Sequence, residues 1–235
     1  MTIAERYQLL LANIRQQEQI YQRQPGSVGM VAVTKTHDVA TLREAWAAGI
    51  RDFGENYVQE ALGKIRELSA ADSMTTGITW HFIGPIQSNK TRDIAANFEW
   101  VHSVDRLKIL QRLQDQRPPD LPPLNICIQI NVSSEDSKSG TDLAEAVQLC
   151  AAASSMDRLR LRGLMAIPAP CDDHEQQRAA FRPLAELFHE LQQQFPSMDT
   201  LSMGMTNDYP AAIAEGATLV RIGSALFGSR PPKQS

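Results

Sequence analysis

The chain has 235 residues, room for one large domain or two small ones at ~150 residues each. Its 43% hydrophobic and 21% charged content speaks against intrinsic disorder as the main state, and its net charge of −4 speaks against a basic nucleic-acid-binding face. It has no run of ~18 apolar residues that would suggest a membrane span, and its three cysteines (Cys127, Cys150, Cys171) form no CxxC pair, which points to a reducing compartment.

The first segment carries no basic stretch followed by an apolar block, so no secretory signal is read and a cytoplasmic protein is expected. It reads as a helix: Thr2 and Glu5 have capping-box spacing, and Ile3, Tyr7, Leu10, Leu11 and Ile14 recur at three and four. Short apolar runs then appear at 30–33, 50–53, 79–83, 100–104, 125–132, 159–167, 200–205 and 219–222. Segments of helical period separate them, at 39–48, 57–68, 86–98, 105–113, 142–153, around 181–191, and at 209–215. Pro183 is expected to kink or start its helix, and RPPDLPP at 117–123 reads as a rigid connector.

Strands alternating with helices call for a parallel sheet covered by helices, and eight strands are the number that closes a (β/α)8 barrel. The expected fold is a single α/β domain over 1–235, a (β/α)8 TIM barrel with an extra amino-terminal helix. An open doubly wound sheet is the competing architecture.

Lys35 ends the first strand, in VAVTK at 31–35. Val31, Val33 and Lys35 share a parity, so one face carries two barrel-filling valines and then an amine at the carboxyl end, where barrel active sites lie. Enclosure there disfavours the ammonium form and frees a nucleophile toward carbonyls. A snorkelling lysine is the bland alternative. At the other end of the chain, SMGMT at 202–206 closes strand seven and RIGS at 221–224 closes strand eight. The loops after these two strands commonly form a phosphate site in barrels. Gly204 and Gly223 permit close backbone approach, while Ser202 and Ser224 offer hydroxyls. Arg221 interrupts a run otherwise fit for a buried strand, and its parity with Leu219 and Gly223 turns it into the barrel. A charge there needs a partner. An internal salt bridge would supply one; a bound ligand is the stronger reading. A nucleophilic lysine with a phosphate cradle fits a class I aldolase or pyridoxal phosphate held as a Schiff base on Lys35, and Arg221 favours the second.

Other candidates carry less. His37 is expected to border the next helix and His81 to be a hydrogen-bonded interior residue, while His102, His174 and His189 lack metal-like spacing. Lys90 and Arg92 read as a solvated helix face, Glu55 and Asp208 as partners of nearby bases. Lys138 lies in a polar loop. No metal site, nicotinamide fingerprint or P-loop is read.

The segments VAVTK (31–35), FGENYVQEA (53–61), WHFIGPIQSNKTR (80–92), INVSSEDSKSG (130–140), RGLMAIP (162–168), LSMGM (201–205) and VRIGSALFG (220–228) resemble the pyridoxal phosphate homeostasis protein (YggS/PROSC) family, in the family's order and over nearly the whole chain. The resemblance implies a barrel like the amino-terminal domain of alanine racemase, with pyridoxal 5′-phosphate as cofactor. It implies that Lys35 carries the cofactor, that Ser202, Gly223 and Ser224 hold its phosphate, that Arg221 faces the ring nitrogen, and that Asn56, Met165 and Met205 line the pocket. The family often has threonine where Ser224 stands and serine where Thr206 stands; both exchanges keep a hydroxyl. The resemblance further implies that the β domain of alanine racemase and its tyrosine base are missing, which fits a short tail after strand eight. A monomeric cofactor carrier, with pyridoxal phosphate-dependent apo-enzymes as recipients, is therefore expected; a slow amino-acid racemase or decarboxylase is the alternative. Neither nucleic acid nor membrane is an expected partner.

Overall fold

The computed structural model describes residues 1–71, 77–132 and 139–228. Eight strands pair in parallel and in chain order, and the eighth closes on the first: β1 (Gly29–Val33), β2 (Asp52–Glu55), β3 (Thr79–Phe82), β4 (Trp100–Val104), β5 (Leu124–Ile130), β6 (Leu159–Ala166), β7 (Thr200–Ser202) and β8 (Leu219–Ile222). Closure is made by Met30 opposite Val220 and Val31 opposite Arg221. The fold is the expected (β/α)8 barrel, not the open sheet.

The helices are α1 (Ile3–Ile20), α2 (Val39–Ala47), α3 (Val58–Ala71), α4 (Thr91–Asn97), α5 (Leu107–Gln116), α6 (Leu143–Ser154), α7 (His174–Gln194), α8 (Tyr209–Ala214) and α9 (Ser224–Phe227). The starts of α1, α2, α6 and α7 follow from side-chain caps that satisfy otherwise orphaned N–H groups. Thr2 and Glu5 close the capping box of α1 at 3.2 and 2.8 Å, and Asp38, Asp142 and Asp173 accept from Thr41, Glu145 and Gln176. No helix among the described residues is long and apolar enough to cross a membrane.

Alternate strand residues face outward and pack on the helices. Phe53, Phe82, Val101, Ile126, Leu164, Val220 and Ile222 join Leu42, Ile94, Leu110, Phe181 and Leu184 in the core between sheet and helices. Each such burial contributes ~1.5–3 kcal/mol. The residues of opposite parity, His81, His102 and Arg221 among them, point into the barrel, where bonds also run between strands that are not neighbours.

Several boundaries differ from the sequence reading, β2 (Asp52–Glu55, instead of 50–53) among them, and three differences have a local cause. The helix after β3 begins at Thr91, not at 86, because a short 3-10 turn at Ser88–Lys90 comes first, its last residue tied back to Gln87. β7 stops at Ser202 instead of 205, since Gly204 turns the chain at φ +94°. α7 neither starts nor ends at Pro183. The proline removes one N–H donor, but buried Phe181, Leu184, Phe188 and Leu191 anchor the helix on both sides of it. The connector at 117–123 is pinned by buried Arg117, which donates to the carbonyls of Ala95, Phe98 and Pro122 at 2.6–2.8 Å.

Candidate functional site

The carboxyl ends of the strands open into a cleft built from two adjoining cavities that share Pro168, Pro170 and Met205. The first, about 280 Å³, is lined by Lys35, Asp208, Arg221, Gly223 and Ser224. The second, about 310 Å³, is lined by Asn56, Ile83, Pro85 and Gln129. Of the eight site residues expected from sequence, Lys35, Met205, Arg221, Gly223 and Ser224 therefore share one cavity, and Asn56 meets Met205 in the next. A larger recess of about 580 Å³ lies at the opposite, amino-terminal end, around Trp80, Glu99 and Pro122. Of its charged wall residues, Arg117 is spent on backbone carbonyls and Glu99 on the Trp80 N–H, so it lacks the convergent polar groups of a cofactor site.

Met165 and Ser202 lie deeper. Both are fully buried, they face each other in the β6–β7 register, and neither lines the two cavities. The Ser202 hydroxyl is committed within the barrel, 2.7 Å from Arg221 Nη1 and 2.8 Å from His102 Nδ1. At the cleft surface the hydroxyl beside Ser224 belongs instead to Thr206, 3.3 Å away, which also accepts from the Ala225 N–H at 3.4 Å.

The segment carrying Lys35 is clamped from both sides. Lys64, buried on α3, donates from Nζ to the Thr34 carbonyl at 2.7 Å, to Glu55 Oε1 at 2.7 Å and to Glu60 Oε1 at 2.5 Å. The Thr34 hydroxyl donates to the same Glu55 oxygen at 2.7 Å, and Glu60 Oε1 accepts the Thr36 N–H at 2.6 Å. Thr36 sits at φ +69°, a left-handed conformation unfavourable for a β-branched residue, and the Glu60 bond holds it there. Burial pushes the Glu55 carboxyl up, against the opposing charge of Lys64. Glu55 is thus the partner of a base, as expected. Lys64 was missed: Glu60 and Lys64 stand at i,i+4 on the helix, which by itself signals only a surface pair.

Arg221 is 2% exposed and donates to the Ser202 carbonyl and hydroxyl at 2.7 Å and to the Ala166 carbonyl at 2.9 Å. No carboxylate among the described residues forms an ion pair with it. Burial lowers its pKa to about 10, with Asp208 opposing, so the guanidinium is charged at neutral pH. Asp208 accepts the Met205 N–H and forms no ion pair with a base among the described residues, and burial pushes its carboxyl up. The internal salt bridge considered for Arg221 is absent among these residues.

Asn56 Oδ1 is buried with no hydrogen-bond partner among the described residues, an open acceptor on a residue of the cavity wall. Gly84 packs on the Asn56 backbone so closely that a Cβ there would lie 2.3 Å from its carbonyl oxygen. His37 borders α2 and lies against Phe227, with ring centroids 4.6 Å apart. His81 is an interior hydrogen-bonded residue, as expected. His174 sits near Tyr21 and His189 against Phe188. Lys138 lies outside the described residues.

The family model for the alanine racemase N-terminal domain matches residues 7–231. The chain is 57% identical over 229 residues to the pyridoxal phosphate homeostasis protein of Pseudomonas aeruginosa, covering 97% of this chain and 96% of that one. The chain belongs to the pyridoxal phosphate homeostasis proteins. A member from Escherichia coli K12 is 53% identical over 208 residues, 88% of each chain. Among solved structures, PipY of Synechococcus elongatus, described with PLP bound, superposes with a TM-score of 0.80 at 37% identity, over 96% of this chain and 100% of that one. The homeostasis-protein frame thus extends along nearly the whole chain, with Lys35 and Arg221 on the cleft at its strand ends.

Proposed function

We propose that this chain binds pyridoxal 5′-phosphate covalently on the Lys35 amine and serves intracellular homeostasis of that cofactor, buffering or delivering it. The observation that carries the reading is that Lys35 and the buried guanidinium of Arg221, without an ion-paired carboxylate among the described residues, line one cavity of about 280 Å³ with Gly223 and Ser224. The names of the relatives and the PLP-bound PipY structure support it.

The residues fit the group chemically. When bound, the cofactor supplies an electrophilic aldehyde carbon and an electron-withdrawing ring. Lys35 provides the amine, on a turn held by Lys64 and Glu60. Arg221 can only donate, so toward a ring nitrogen it favours the unprotonated form, because two adjacent positive charges repel. That ring is a poorer electron sink, which suits a carrier better than a racemase. Gly223 and Ser224, with Thr206 beside them, would hold the phosphate, while Ser202 acts through Arg221. Asn56 and Met205 would line the pocket, with Met165 packed beneath it. The proposal takes 1–235 as one domain, supported by the family match over 7–231, and the protein as a cytoplasmic monomer that hands its cargo to pyridoxal phosphate-dependent apo-enzymes.

The test is the visible spectrum of the purified protein before and after borohydride, followed by peptide mass mapping. A yellow protein that bleaches and leaves a pyridoxyl adduct on Lys35 is expected. A colourless protein that takes up no added cofactor would remove the reading. Steady turnover of added L- or D-alanine would move the role from carrier to enzyme.

A further inference from the structure

A continuous hydrogen-bonded file crosses the inside of the barrel. Arg221 Nη1 is 2.7 Å from Ser202 Oγ, which is 2.8 Å from His102 Nδ1. His102 Nε2 is 2.9 Å from His81 Nδ1, and His81 Nε2 is 3.0 Å from Asp52 Oδ1. These residues come from β8, β7, β4, β3 and β2. Arg221 borders the cleft at the carboxyl ends, whereas Asp52 opens β2 at the amino-terminal mouth, its side chain 46% exposed. Ser202, His81 and His102 between them are 2% exposed or less.

With both rings neutral, the two ends fix every proton in the file. A guanidinium only donates and an ionised carboxylate only accepts. The Ser202 oxygen therefore accepts from Arg221 and gives its own hydrogen to His102 Nδ1. His102 must then carry its proton on Nε2 and donate to His81, which likewise donates from Nε2 to Asp52. All four bonds then point one way, so each polarises the next. Complete burial, with His81 and Arg221 beside it, holds the His102 pKa well below its usual value, in keeping with a neutral ring. The outer ring is fixed by packing as well. His81 stacks on Trp100, with centroids 5.5 Å apart and planes at 15°, and Arg162, paired with Asp199, lies over the Trp100 ring at 4.5 Å.

We infer that Ser202, His102, His81 and Asp52 form a one-way hydrogen-bond chain that orients Arg221 from the opposite mouth of the barrel, making Asp52 a positioning residue for the cofactor site. Among the described residues the buried guanidinium forms no ion pair with a carboxylate; the chain connects it to one that water can solvate. Asp52 touches neither cavity of the cleft and acts only through the file. The cofactor part of this inference rests on the proposed function, so the test separates the two.

The first measurement uses the apoprotein alone. Long-range proton–nitrogen correlations of the histidine rings at neutral pH should show both His81 and His102 as neutral Nε2–H tautomers. A charged ring, or an Nδ1–H tautomer at either position, would overturn the chain. The second compares Asp52→Ala and Asp52→Asn with the parent, with the melting temperature as a control on folding. Asp52→Ala should shift the His102 ring-nitrogen signals, weaken pyridoxal phosphate affinity about threefold to tenfold, as for coupling carried through intermediate groups, and move the absorption maximum of the bound cofactor. Asp52→Asn, which keeps an acceptor oxygen, should retain the tautomers and recover part of the affinity. Unchanged His102 signals and unchanged affinity in Asp52→Ala would refute the positioning role. A protein that takes up no pyridoxal phosphate would fail the proposed function, and the tautomers would still decide the chain.

Discussion

Replacing Lys64 by Met tests how the segment bearing Lys35 is held. The side chain of Glu55 is 0% exposed and that of Lys64 6%, and the ammonium serves Thr34 O, Glu55 and Glu60 at 2.5–2.7 Å. Removing one partner of a buried pair leaves an uncompensated charge, which typically costs about 3–5 kcal/mol. At ~2–4 °C per kcal/mol for a domain of this size, the melting temperature should fall by about 6–20 °C near neutral pH. The deficit should depend on pH. Burial already holds the Glu55 carboxyl above 4.5, and the charge of Lys64 is the leading opposing influence. Without Lys64 the carboxyl rises further, so the folded state binds a proton over a wider window than the unfolded chain does. Stability is then fully present below the unfolded value and lost as pH rises through the folded one. Thermal and urea unfolding from pH 5 to 8 should show Lys64→Met nearest the parent at the acid end and furthest from it at the alkaline end. Adding Glu55→Gln should recover much of the loss and flatten the profile. A deficit of equal size at pH 5 and 8, unmoved by Glu55→Gln, would refute the buried pair as its cause.

Three further expectations concern the cleft and the core. Arg221→Glu would set a carboxylate against the carbonyls of Ser202 and Ala166, so cofactor affinity should fall by at least about tenfold, the loss of a charge-assisted bond, with a changed spectrum; identical titrations and spectra would take Arg221 out of the site. Gly84→Ala forces a methyl to within 2.3 Å of the Asn56 carbonyl oxygen, which backbone cannot easily relieve, and should lower stability by about 1–3 kcal/mol in denaturant titrations; parental stability would mean that this approach is not tight. Burial pushes the Cys127 and Cys150 thiols up to about 12, while Cys171 is partly exposed. A disulfide reagent at pH 8 should therefore modify one thiol quickly and the other two only on unfolding, and two fast thiols would contradict the burial.

Much of this molecule follows from local periodicity. Alternating apolar runs and helical segments specify eight strands and their covering helices, and Thr2 with Glu5 marks the start of the first helix, because these signals depend on residues within one or two turns. Strand parity likewise turns Arg221 inward, and the end of the first strand brings Lys35 to the cleft, since neither depends on which strands neighbour each other. Packing decided where the parity rule falls silent. Pro183 sits inside a continuous helix because buried residues on both sides outweigh one lost N–H bond.

The roles of Ser202, Lys64 and the two histidines needed the closed barrel. Ser202 and Ser224 look alike in sequence as strand-end hydroxyls, yet one is buried between His102 and Arg221 and the other is exposed beside Thr206. Depth along the barrel axis separates them, and that depth is set by the stagger of strands around the closed sheet, a property of no single strand. The sequence by itself determined which elements form and which face each residue takes, because both are short-range matters of period and capping. Only the tertiary structure decided which polar groups meet inside the barrel, since the bond from His102 to Ser202 joins residues 100 apart in the chain.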